Sequence, residues 1–553
     1  EFAWDVDDAL QHQVELGVGV MDCVGHGFSP FDLRGKCFTI KTLETRVSVQ
    51  VFMTAALAIS LRIRKQNPPA LPRVIFLKPA PKKSKSSALE RRLDMSHQIR
   101  QADLDGLRKK FNGQVIGPDD PEYDEARTIF NAMIDRRPGV IAQCAHIDDV
   151  VRAVRFGRER GLELAVRGGG HSVAGNALTD GGLVIDLRRM NTVSVDPEAR
   201  AAVVGGGATM SHLDQATGLY GLATTGGRVS TTGVGGFTLG GGSGWLDRKF
   251  GLACDNLLSV ELVTADGSIV VANDDENPEL FWALHGGGGN FGVATSFTFQ
   301  LHALPSVTAA LLLWRPEAGP GILRAYRDFM ASAPDEVGGG LIYLTGAAEP
   351  FVPAHLVDKL TLAVLVVYAG REAEAREVAA SMLALGHEGE LIAEMPYAEL
   401  QCMLDDPPGY RNYWSAEYLD ALPDEAIELF CTRANDMIVP SASQHVLFPQ
   451  GGAVGRGPVH YPLPWRHAPW VVHPFGLWLD PADDERGRRW AHDIRADLKQ
   501  WSSGAVYLNF IGDEGEDRLK AGFGRENYAR LAKVKTQYDP ENLFHLNHNI
   551  KPA

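Results

Sequence analysis

Glycine carries the first chemical signal in this 553-residue chain. Twenty of the 59 glycines fall between residues 168 and 244, among them three triplets: Gly168–Gly170, Gly205–Gly207 and Gly240–Gly242. Runs of glycine set after strands let main-chain N–H groups approach an anion closely, because no Cβ stands in the way. Tight turns account for scattered single glycines but not for triplets, so a phosphate-bearing ligand is expected. The stretch Arg167-Gly168-Gly169-Gly170-His171-Ser172-Val173-Ala174-Gly175 joins exposed amides to an arginine, which suits a pyrophosphate. Its histidine stands at the rim of the same loop.

Other signatures are excluded. Gly287 to Gly292 satisfies the dinucleotide spacing, but a Rossmann fingerprint must open a helix directly after a strand. Here the glycines run into Val293-Ala294-Thr295, which reads as a strand. The chain has no G-x-x-x-x-G-K-[ST] phosphate loop and no G-x-S-x-G nucleophile elbow. Its cysteines, Cys23, Cys37, Cys144, Cys254, Cys402 and Cys431, show no zinc-ligand spacing, so no metal site is expected.

The elements that must hold these loops form a mixed α+β pattern. From about 140 to 306, β-branched runs alternate with helical ones. Val150 to Glu163 reads as a helix, and Leu164-Ala165-Val166 as a buried strand feeding the first triplet. Further strands are predicted at 183–186, 201–204, 258–264, 268–271 and 296–302. Beyond residue 307 the glycines thin out. Strand-like runs at 309–314, 340–345, 361–368 and 470–479 predict an antiparallel sheet with helices on one face. Tyr528 to Tyr538 reads as a helix stopped by Asp539-Pro540-Glu541-Asn542.

The Arg167 to Gly175 loop resembles the flavin-attachment loop of the berberine-bridge-enzyme-like FAD oxidoreductases, within the vanillyl-alcohol-oxidase, or PCMH-type FAD-binding, superfamily. Matches follow in order: Gly233-Val234-Gly235-Gly236 with Gly240 to Gly242, Arg248 to Asn256, Glu279 to Leu284, Gly286 to Gly292, Tyr507 to Phe510, and Asp539 through Asn549. Together they cover nearly all of residues 95–553. The resemblance implies a bipartite fold. The FAD-binding domain would be built from 95–306 and 491–553, and a substrate domain from 307–490 would lay its sheet over the flavin ring.

It also implies roles. His171 would bond covalently to the flavin. Arg167, Gly168, Gly169, Gly170, Ser172 and Gly175 would hold the pyrophosphate. Gly233, Gly235, Gly236, Gly292 and Val293 would line the ring or ribose, with Asn547 and Asn549 closing the C-terminal side. Many relatives make a second link through a cysteine at the position of Val229. Valine cannot form a thioether, so a single link is expected. Thr232 falls at the gate position beside the ring. Tyr507, Asn509 and His473 would face the substrate as catalytic groups. Tyr507 and Asn509, two apart on a predicted strand, would share one face.

The implied activity is hydride transfer from an alcohol, sugar or amine C–H to covalent FAD, with O2 reduced to H2O2. The alternatives are a dehydrogenase with another acceptor and a flavin-containing binding protein without turnover. A net charge of −15 argues against nucleic acid or an anionic membrane surface as partner. Sparse cysteine fits a reducing compartment and predicts a cytoplasmic protein; oligomeric state is left open.

The first 94 residues have a different composition. They hold 14 basic and 10 acidic side chains, against 40 and 59 in the remainder. Residues 62–92 carry ten of those basic groups, one acid and several prolines, which predicts a solvated leader. The 15-residue apolar run Val47 to Leu61 is short for a membrane span. A chain starting at Met95 is therefore expected to bind flavin and to melt at the temperature of the full chain. An insoluble or flavin-free product would show that the leader is structural.

Overall fold

The computed structural model describes residues 99–553 apart from 407, 459 and 513; the expected leader lies outside the described residues. The first sheet has the order β1-β2-β4-β3, built from β1 (Gln114–Ile116), β2 (Val140–Gln143), β3 (Leu164–Arg167) and β4 (Leu183–Asp186). Both β2 and β3 run parallel to β4. Parallel neighbours need a crossover. The helix Ile147–Glu159 supplies one, burying Val150, Ala153, Val154 and Phe156 against the sheet. β3 then ends at Arg167 and releases the chain into the first glycine triplet.

The chain next lays down β5 (Val193–Asp196), β6 (Ala201–Gly205), β7 (Leu222–Ala223), β8 (Leu257–Val263), β9 (Ile269–Ala272), β10 (Val293–Gln300) and β11 (His302–Ala303). Five of these form an antiparallel sheet ordered β5-β6-β10-β8-β9, and β7 pairs with β11. Gly292 leads straight into β10, the context that excludes a Rossmann turn.

The third sheet is wholly antiparallel. Its eight strands are β12 (Val307–Trp314), β13 (Val337–Thr345), β14 (Leu360–Tyr368), β15 (Gly389–Met395), β16 (Arg411–Trp414), β17 (Glu417–Leu419), β18 (Gln444–Pro449) and β19 (Trp470–Trp478). Alternation along β12 divides its side chains between two cores. Ala310, Leu312 and Trp314 pack with residues of the covering helices Gly319–Ser332, Asp424–Ala434 and Asp484–Leu498. Val307, Ala309, Leu311 and Leu313 share the opposite core with Trp245, Trp465 and Tyr507. One face is thus helix-covered and the other looks toward the glycine loops.

The C-terminal segment returns to the second sheet. Leu519, Phe523, Leu531 and Val534, on helices Glu516–Phe523 and Arg525–Tyr538, share a core with Phe297 and Phe299 of β10. A buried ion pair locks the return. Lys535 Nζ donates to Asp539 Oδ2 at 2.6 Å, Asn290 O at 2.7 Å and Phe544 O at 2.9 Å. Asp539 also accepts from the main-chain N–H groups of Leu543 and Phe544, 2.7 and 2.8 Å away. Both side chains are fully buried, so removing one strands the other. Lys535→Met is expected to cost about 3–5 kcal/mol and lower the unfolding temperature. An unchanged temperature would mean that the pair contributes nothing to stability.

Candidate active site

Two glycine turns meet back to back. A Cβ on Gly169 would land on the main-chain N of Gly233, and one on Gly233 on the main-chain N of Gly169, so neither loop tolerates a side chain there. Gly170 turns the first loop at φ +75°, in the left-handed region that favours glycine. Gly236 and Gly289 differ: a Cβ on either would meet nothing of the protein and would project into open space at the cavity wall. The triplets therefore do different work. Gly168–Gly170 lines the cavity, whereas Cβ atoms on Gly205, Gly206 and Gly207 would strike the carbonyl oxygens of Met190, Ala294 and Leu187. That middle triplet serves backbone packing, not a ligand.

The loops enclose a cavity of about 340 Å³ reaching from the first triplet to the third sheet. His171 lines it, stacked on Phe130 at 4.1 Å between ring centroids, with Nε2 2.9 Å from Thr231 Oγ1. Burial pushes its imidazole pKa down to about 4, so the ring is neutral and keeps a free nitrogen lone pair. Gly168, Ser172, Val229, Thr232 and Asn547 lie on the same wall. Asn547 Nδ2 donates to Gly289 O and Phe544 O, while its buried Oδ1 has no partner within the chain.

Tyr507 is 1% exposed, and its hydroxyl oxygen is the focus of three donors. The N–H groups of Ser243 and Gly242 stand 2.9 and 3.2 Å away, and Asn509 Nδ2 donates from 2.9 Å. The predicted strand is not there. Tyr507 is extended, but Leu508–Phe510 is a 3₁₀ turn, which brings the Asn509 amide directly onto the Tyr507 oxygen. Gly240 makes room, since a Cβ there would strike the Asn509 amide. Burial pushes the phenol up to about 12, while Ser243 N–H, Asn509, the Arg228 guanidinium and Gly242 N–H pull it down. Three converging donors match a phenolate better than a phenol, whose own hydrogen would point into the crowd.

His473, on β19, also lines the cavity. Its Nδ1 donates to Ser415 O at 2.8 Å, and its ring stacks on Phe510 at 4.0 Å. Burial pushes it down to about 3, so Nε2 stays an unprotonated acceptor. Two polar residues that the sequence reading passed over are present as well. Arg228 lies over the Phe448 ring at 4.0 Å and donates to Ser243 O and Gly244 O. Asp406 lines the cavity as well. Neither belongs to a motif that spacing would reveal.

Six expected ligands lie elsewhere. Arg167 is 1% exposed and paired with Asp186 at 2.6 Å, so it braces the loop from behind rather than facing the cavity. Gly175 packs on Ile134, Gly235 on Phe297, and Gly292 against Val263. Val293 is buried in β10, and Asn549 is outside the wall, its Oδ1 buried without a partner. Cys254 is fully buried and does not line the cavity.

This arrangement of two facing glycine turns under an antiparallel sheet is that of a flavoprotein. Residues 138–273 match the family described as FAD binding domain, and residues 506–551 the family described as berberine and berberine like. (R)-6-hydroxynicotine oxidase of Paenarthrobacter nicotinovorans is 32% identical over 455 residues, covering 80% of this chain and 97% of that protein. Xylooligosaccharide oxidase of Thermothelomyces thermophilus is 27% identical, covering 83% and 96%. The crystal structure of 6-hydroxy-D-nicotine oxidase from Arthrobacter nicotinovorans superposes with a TM-score of 0.72 at 30% identity, over 80% of this chain and 98% of that one. BBE-like 1 of Physcomitrella patens shares the fold at a TM-score of 0.72 and 23% identity, over 81% and 99%. The chain belongs to the berberine-bridge-enzyme-like FAD-linked oxidoreductases and is an enzyme of that class. The cavity fits the cofactor on its own terms: Gly236 and Gly289 keep wall space open that a side chain would fill, and Asn547 offers a buried acceptor. Among the described residues no cluster fit for a metal occurs, and no helix is long and apolar enough to cross a membrane.

Gly233→Ala is expected to force the two loops apart and to lower the flavin-to-protein ratio severalfold, read from absorbance. Retention of full flavin would show that the loops move apart without loss. In Gly236→Ala the protein has room for the methyl group, so a fall in flavin content there reports competition with the cofactor itself.

Proposed function

We propose that this enzyme is an oxidase that removes hydride from a C–H of a small alcohol, sugar or amine and passes the electrons to O2, with FAD tethered through His171 alone. Bound FAD supplies the two-electron acceptor. The residues supply proton handling and orientation. Tyr507 carries the reading, because three N–H donors surround its oxygen. In this role Tyr507 takes the proton of the substrate O–H or N–H as the adjoining C–H gives up its hydride. The donors from Ser243, Gly242 and Asn509 are already oriented toward the charge that the tyrosine carries in its basic form. The buried guanidinium of Arg228 adds positive potential; burial lowers its pKa while the neighbouring Asp247 carboxylate raises it. Neutral His473 presents Nε2 as an acceptor that orients the substrate.

His171 supports the single tether. Its ring is neutral, half-buried and on the cavity wall, as a nucleophilic nitrogen must be. Val229, on the same wall, has no sulfur, and Cys254 is buried away from the cavity. Acid-precipitated wild-type protein should therefore stay yellow and the His171→Ala pellet should be colourless. A yellow mutant pellet would point to another attachment residue.

The test of activity is a substrate screen followed by peroxide release, then anaerobic stopped-flow bleaching with the best substrate. Tyr507→Phe is expected to slow flavin reduction by at least about a hundredfold, the lower end of what a general base contributes. Flavin content should hardly change, since only one hydroxyl is lost. An unaltered reduction rate would reject Tyr507 as the base and transfer the role to His473.

A further inference from the structure

One titratable side chain on the cavity wall has no part in the mechanism above. Among the described residues Asp406 is the only acidic one on that wall. It is 8% exposed, and among the described residues no hydrogen bond or ion pair is made to it. Its position is not accidental. The preceding Asp405 accepts from the main-chain N of Ser230 at 2.7 Å and from the Ser230 hydroxyl, which pins this segment to the turn carrying Val229 and Thr232. Asp405 is thereby satisfied, and Asp406 is left facing the cavity.

A buried carboxylate without a partner is costly, and a cation is what offsets the cost most fully. The cavity's own cation does not do this. Arg228 is engaged with Ser243 O and Gly244 O and lies 3.7 Å from Asp247. Of the three histidines on the cavity wall, His171 and His473 are held neutral by burial, and His548 has a contact of its own. The remaining wall on the sheet side is largely aromatic. Phe130, Trp414 and Phe475 form one continuous face, with successive ring centroids 6.4 and 4.8 Å apart. Phe475 connects through His473 to Phe510, at 5.6 and 4.0 Å. Such a surface offers van der Waals contact and cation–π attraction but few hydrogen bonds. A polyhydroxylated sugar would leave most of its hydroxyl groups unpaired there.

We infer that Asp406 is the specificity-determining residue of this cavity and that the substrate class it selects is a protonated amine on a compact apolar or aromatic body. This rests on the reading of the cavity as the oxidation site and narrows its substrate from three classes to one. Burial, reinforced by Asp405, pushes the Asp406 carboxyl up to about 7. Beside no cation the group is near half-protonated at neutral pH, and an arriving ammonium draws it into the charged form.

The test is a binding measurement on purified holoenzyme, kept anaerobic, at mildly alkaline pH where Asp406 is ionised. Benzylamine and benzyl alcohol, alike in size and ring, are titrated against the perturbation of flavin absorbance. Benzylamine is expected to bind at least about tenfold tighter than the alcohol, and Asp406→Asn to abolish that preference with flavin content intact. Equal affinities in the wild-type enzyme would overturn the proposal without any variant, as would a preference that survives in Asp406→Asn. Because binding is read without turnover, either result is separate from failure of Tyr507 as the base, which appears only in the reduction rate.

Discussion

The architecture around the cavity depends on one convergence: three N–H donors on the oxygen of Tyr507. Two of them come from the turn at Gly242 and Ser243, and the third from a residue two positions along the C-terminal segment. That convergence requires Gly240, because any side chain there would displace the Asn509 amide. It requires the 3₁₀ turn at Leu508–Phe510, which folds the amide back on the phenol. It also requires that the C-terminal segment be held in place, which the buried Lys535–Asp539 pair does from below. The second Asn509 hydrogen bond, to Phe237 O at 2.9 Å, fixes the amide relative to the short helix behind the glycine turn.

Desolvation shifts His171, His473, Tyr507 and Asp406 on the wall, and it does so with opposite signs. It removes the proton from His171 and His473 and leaves them as neutral acceptors. It retains the proton on Tyr507 and moves Asp406 to the edge of ionisation. A tyrosine in such a site is useful as a base only because preoriented donors lower the cost of its charged form. The aromatic wall from Phe130 to Phe510 excludes the water that would otherwise screen those donors.

Much of this was legible in the sequence. The strand before Gly168, most of the helix Ile147–Glu159 and four of the eight strands of the third sheet follow from hydrophobic period, because burial on one or both faces imposes it; β15 to β18 were missed. The Gly168–Gly170 loop was visible because glycine has few reasons to cluster. The purpose of each triplet was not. Gly205–Gly207 looks the same in sequence as Gly168–Gly170, yet it packs against carbonyls rather than a cavity. Arg167 looked like a phosphate ligand because Asp186, its partner, is 19 residues away and joins it only through strand pairing. The Tyr507 and Asn509 pairing was anticipated for the wrong reason, since period two fits a strand as well as it fits this turn. Arg228, Asp406 and the aromatic wall had no signal at all. They are brought together from five separate stretches of chain, and no local pattern marks such a meeting.

The central claim is that the Tyr507 oxygen, held by three donors in a desolvated cavity, is the proton acceptor for oxidation. Its most direct test is the pH dependence of anaerobic flavin reduction, measured at saturating substrate in the wild-type enzyme and in Tyr507→Phe. A base whose pKa lies well above the working range is mostly protonated there, so its active fraction grows about tenfold for each unit of pH. The wild-type rate should climb in that way toward alkaline pH, and the Tyr507→Phe rate should be low and flat. The same climb in both proteins would contradict the account.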